Sequence, residues 1–162
     1  MKIKKVRIHN FRSIKEESFS LENFSLLIGE NNSGKSNVIN AIRTFYENDG
    51  AKYSEKDDFP KFQTDDKESW VEITFQTSDD EQATLKSEYR SFDKLLKVRR
   101  YFKSSKQELV KSNQSNIYAY ENGVLSENLF YGAQNISQAK LGRIIYITEI
   151  SKSEDNVKMI GP

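Results

Sequence analysis

The stretch Gly29-Glu30-Asn31-Asn32-Ser33-Gly34-Lys35-Ser36 sets two glycines, a lysine and a hydroxyl at the spacing G-x-x-x-x-G-K-[ST]. Gly29 lets the backbone turn sharply out of a preceding strand, and Gly34 lets it approach a phosphate with no Cβ in the way. The successive amides across Glu30, Asn31, Asn32 and Ser33 then form an anion cradle. A helix starting near Lys35 adds its positive end to that cradle. Lys35 can reach the β- and γ-phosphates of a nucleotide. The Ser36 hydroxyl can complete a Mg²⁺ shell whose other ligands are phosphate oxygens and water. Asn37 follows directly in the sequence, and the chemistry read here is binding of a nucleotide's phosphates with Mg²⁺.

Such a loop works only between a strand and a helix. Phe24-Ser25-Leu26-Leu27-Ile28 is a short apolar run ending at Gly29, the pattern of a buried strand. Residues 35–47 read as a helix, with Val38, Ala41, Ile42 and Phe45 on one face. Strands are also expected at residues 2–9, 14–20 and 70–75. Ser78 and Glu81 form a capping box for a helix carrying Leu85, Tyr89 and Phe92. Asn122-Gly123 marks a tight hairpin between residues 116–121 and Val124-Leu125. Arg143–Ile147 reads as a final strand. The expected fold class is α/β, a mixed and β-rich sheet with two or three helices.

Composition narrows the chemistry further. The chain has 162 residues, 36 % hydrophobic and 30 % charged, with no Cys and a single histidine, His9. Disulfide scaffolds, zinc ribbons, thiol catalysis and multi-histidine metal sites are therefore excluded. No run approaches the ~20 apolar residues of a membrane helix, and the N-terminus has no signal-peptide core, so a cytoplasmic protein with no membrane partner is expected. The formal net charge of +1 hides blocks of charge: residues 47–81 hold twelve acids against four bases, and residues 86–111 nine bases against three acids. Within the basic block, Lys94 to Lys103 interleaves cations with aromatics. Its alternation leaves neither face cleanly apolar, as on an exposed edge strand, and Arg99 and Arg100 are candidate DNA contacts.

The class of phosphate-binding loop follows from what surrounds it. The sequence contains no D-x-x-G and no N-K-x-D, which excludes a GTPase. His9-Asn10-Phe11-Arg12-Ser13-Ile14 precedes the loop, and Lys35-Ser36-Asn37-Val38-Ile39 closes it. That pairing resembles the N-terminal lobe of RecF/SMC-like ABC-type ATPase heads. Within that branch it is most similar to the OLD (overcoming lysogenization defect) family of ATP-dependent nucleases and the AAA-like ATPases of phage defence. The resemblance is specific over residues 1–47 and looser beyond them. It implies a P-loop NTPase that sandwiches ATP and Mg²⁺ between two subunits, with DNA as the substrate of the full protein. Arg12 and Ser13 would lie beside the nucleotide. On its own residues, Arg12 reads equally as a solvated cation at a strand end. Asp57 and Asp58 would come near the nucleotide's edge by the same resemblance, and their spacing assigns them no role.

Several parts of such a head are missing from the sequence. There is no L-S-G-G-Q signature and no Asp-x-Asp of a Toprim nuclease. Ile144–Glu149 has the apolar run of a Walker B strand without its Asp and reads as a look-alike. Gln134 and Gln138 read as surface amides rather than as sensors of Mg²⁺ and γ-phosphate. The expectation is that residues 1–162 form one partial domain of a longer protein, with no catalytic residue in this segment. A stand-alone P-loop kinase or nucleotide-binding regulator is the alternative.

Overall fold

The computed structural model describes residues 1–30, 34–131 and 141–147. Two long strands begin the chain, β1 (Lys2–Phe11) and β2 (Ile14–Ser20), joined by the two-residue turn Arg12-Ser13. Helix α1 (Lys35–Tyr46) and the single turn α2 (Glu55–Asp58) follow. Strand β3 (Ser69–Gln76), helix α3 (Asp79–Thr84) and strand β4 (Leu95–Lys103) come next. The hairpin β5 (Ile117–Glu121) and β6 (Val124–Leu129) turns through Asn122 and Gly123, both at positive φ as a tight turn requires. The six strands form one antiparallel sheet in the order β2-β1-β3-β4-β5-β6.

Period-two alternation gives the sheet two distinct faces. On one face the register stacks Val6 against Ile73 and Val98, Ile8 against Val71, and Phe75 against Leu96. Helix α1 lays Ala41, Ile42 and Phe45 on this face, all buried. On the reverse face Arg7 lies beside Glu72 and Arg99, and Trp70 beside Tyr101. Trp70, Tyr101 and Tyr118 form a second small core there, packed by Leu109, Val110, Leu125 and Leu129. Strand β3 is thus covered on both sides.

Four expectations change. Phe24–Ile28 is not a buried strand: it has no regular structure, and Phe24 and Ile28 are each 83 % exposed. A strand needs a neighbour for its amides and carbonyls, and none of the described strands runs beside this segment. Arg143–Ile147 likewise forms no strand, with Ile147 82 % exposed. The helix opened by Ser78 stops at Thr84, because Leu85 turns extended into the core and the Arg90 guanidinium takes the carbonyls of Ala83 and Leu85. Finally, β4 lies between β3 and β5 rather than at an edge.

The interior position of β4 turns its arginines inward. Arg100 is buried, donating to the Phe45 carbonyl at 2.7 Å and to Glu47 at 2.7 Å, so it ties β4 to the C-terminal end of α1. Arg99 lies 3.8 Å over the Trp70 ring and donates to Glu72 at 2.7 and 3.0 Å. Both guanidiniums are committed to the fold, which corrects their reading as DNA contacts.

Candidate nucleotide site

Gly34, Lys35 and Ser36, the end of the G-x-x-x-x-G-K-[ST] stretch, open α1. Gly34 is the N-cap, with φ +91°, a conformation that side chains other than hydrogen rarely adopt. Its carbonyl accepts the amides of Asn37 and Val38 at 2.9 and 3.1 Å and starts the helix. No side chain caps this end. The first turn contains no acid that would compete with an anion for its amides.

Lys35 reaches back across the loop, donating from Nζ to the carbonyls of Gly29 and Glu30 at 2.6 Å each. The ammonium is thereby held at the mouth of the loop. Ser36 stands exposed in the first helical turn. Asn31, Asn32 and Ser33 lie outside the described residues, as do Gln134, Gln138 and Glu149.

The turn after β1 is built onto this loop. Asn37 Nδ2 donates to Ser13 Oγ at 2.8 Å, and a Cβ placed on Gly34 would meet that same Oγ at 3.5 Å. Ser13 therefore abuts the start of α1. Arg12 has a positive φ of 52° and is clamped twice by Asp58. Its amide donates to the Asp58 carbonyl at 2.6 Å, and its Nε donates to Asp58 Oδ1 at 2.8 Å. Arg12 is thus a half-exposed cation at the strand end, paired through Nε. The sequence assigns Asp58 no role in the site; its only signal is the resemblance, which brings Asp57 and Asp58 near the nucleotide's edge.

The exposed Ser36 in the first helical turn is an oxygen donor that fits a hard cation brought with a nucleotide. Among the described residues no cluster of three or more His, Cys, Asp or Glu side chains could hold a metal ion. A G-x-x-x-x-G-K-[ST] stretch whose lysine stands at the head of a helix docked on a sheet defines a nucleotide-binding ATPase of the P-loop class. More particularly, the chain belongs to the AAA ATPase domain family, which matches residues 1–159.

The sequence match agrees with the resemblance to OLD-type proteins, and one solved SMC structure agrees in fold. The Old nuclease of Escherichia phage P2 is 46 % identical over 57 residues, which are 35 % of this chain and 9 % of that protein. The chain therefore spans about a tenth of the length of this curated relative. A solved structure from work on ATP-driven dimerization and DNA-stimulated activation of SMC ATPases superposes with a TM-score of 0.55 at 17 % identity, covering 98 % of both chains. That likeness is one of fold. The RecF–ATP structure from the RecFOR pathway overlaps 83 % of this chain and 30 % of its own, with a TM-score of 0.48 at 19 % identity. No helix among the described residues is long and apolar enough to cross a membrane.

Proposed function

We propose that this chain is the ATP-binding N-terminal lobe of a longer ATPase, whose complete and dimerised head controls a DNA-acting nuclease. The observation that carries the reading is the Gly34-Lys35-Ser36 corner at the head of α1, with the Ser13 turn built against it. In this reading the amides of residues 30–36 hold the triphosphate. Lys35 would hold the phosphates and the Ser36 hydroxyl would help hold Mg²⁺, whose charge would offset that of the phosphates. Asn37 and Ser13 fix the loop from the side of β1.

Turnover needs acids that polarise the attacking water and a second surface that closes over the nucleotide. The lobe contains neither motif, so the reading assigns binding to this segment and hydrolysis to the assembled protein. The partial match to a phage nuclease and the family resemblance support a role in DNA cleavage and phage defence. The apolar runs at 24–28 and 144–147 support a head completed by further strands.

Lys35→Ala tests the site. In the full protein it should weaken ATP binding at least tenfold, in keeping with the loss of a charge-assisted phosphate contact of roughly 1.5–3 kcal/mol. Unchanged ATP affinity would refute the site. The 162-residue chain alone should show no steady ATP hydrolysis, and turnover by it would favour the self-contained kinase or regulator instead.

A further inference from the structure

We propose that Asp58 is a positioning residue that aims Arg12 at the nucleotide, an inference that rests on the nucleotide-site reading above. Asp58 is only 4 % exposed, and each of its polar groups has a task. Oδ1 accepts from Arg12 Nε at 2.8 Å, and Oδ2 accepts from the Ser54 amide at 2.8 Å. Its main-chain carbonyl accepts the Arg12 amide at 2.6 Å. A carboxylate this deep in the fold is retained only where its partners compensate for lost water.

The clamp also explains the backbone of Arg12. A non-glycine residue at φ 52° is disfavoured and persists when its surroundings hold it there. Here the amide of Arg12 is drawn onto Asp58 while its side chain is drawn onto the same residue. Capture through Nε leaves the two terminal nitrogens of the guanidinium with no hydrogen-bond or ion-pair partner among the described residues, on a side chain 36 % exposed. Those are the donors that recognise phosphate in a fork. The result is a cation whose stem is fixed from behind by α2, whose guanidinium lies 5.5 Å from the centre of the Phe11 ring, and whose neighbour Ser13 meets the start of α1.

The test is a double-mutant cycle on the chain, titrating Mg²⁺–ATP into the millimolar range and following binding by NMR, with thermal unfolding measured alongside. Asp58→Ala keeps the main-chain carbonyl and removes only the carboxylate. We expect it to weaken ATP binding about fivefold, as Arg12→Ala does, with the double variant no weaker than Arg12→Ala alone. Asp58→Asn keeps an oxygen acceptor and should fall between wild type and Asp58→Ala. If Asp58→Ala does not fold, Asp58→Asn carries the same cycle. A purely structural Asp58 would lower the melting temperature while its effect on affinity was absent, or was equally large without Arg12. Either result overturns the inference. Lys35→Ala separates the two failures. If it abolishes binding while the Asp58 variants behave as structural ones, the site stands and the positioning role falls. If it leaves binding intact, both fall.

Discussion

At the scale of single residues, the site depends on backbone conformations as much as on side chains. Gly34 holds φ +91°, and a Cβ there would sit 3.5 Å from Ser13 Oγ, an ordinary contact. Gly34→Ala is therefore penalised by conformation and not by collision. It should cost about 1 kcal/mol of stability, read as a drop of several degrees in a thermal melt, and should weaken ATP binding because the loop can no longer turn as it does. This glycine was legible in the sequence, since the spacing to Lys35 demands it. The strained φ of Arg12 was not. It depends on Asp58, forty-six residues later, and no local pattern reports that pairing.

At the scale of elements, the sheet is locked by one buried carboxylate. Glu72 on β3 is 1 % exposed at its side chain and is met by Arg99 at 2.7 Å, Lys97 at 3.1 Å, Arg7 at 3.4 Å and the Tyr120 hydroxyl at 2.6 Å. Burial alone would raise its pKa. Hydrogen bonds from Tyr120 and Arg99, with the charges of Arg99 and Lys97, outweigh burial and hold the carboxyl below its ordinary 4.5. As pH falls, the unfolded chain therefore takes up this proton before the folded chain does. The stability that Glu72 confers is complete above pH 4.5 and is lost as pH drops through the folded value. Glu72→Gln should lower stability at neutral pH by about 3 kcal/mol, because three cations then face an uncharged amide. Urea midpoints measured against pH should show a shallower acid limb for the variant, and parallel limbs would contradict this account. The same ladder explains the misreading of β4. Its alternating cations look like those of a guarded edge, yet Arg99 answers Glu72 across the sheet and Arg100 answers the end of α1.

At the scale of the whole molecule, the sheet and α1 form one packed unit, and two apolar runs remain uncovered. Phe24, Leu26, Ile28, Ile145 and Ile147 are all at least two-thirds exposed. Uncovered apolar surface of this kind promotes association. The chain should therefore self-associate as its concentration rises, as sedimentation velocity would register. Hydrogen exchange should be fast at residues 24–28 and slow in the centre of β1 and β3, because only the latter amides are paired in the sheet. In a longer protein that completes the head, the amides of 24–28 should become protected. Exchange that stays fast there would count against the proposed strand partners.

The sequence by itself determined the features that a few neighbouring residues specify: the glycine-lysine loop, the apolar stripe of α1, the capping box of α3 and the Asn122-Gly123 hairpin. Each is set by spacing within one turn of helix or one pair of strands. Tertiary structure decided which apolar runs become strands, which cations are internal, and that Asp58 grips Arg12. These depend on partners distant along the chain: a strand needs a neighbour to satisfy its backbone, and a buried charge needs an opposite one brought to it by the fold.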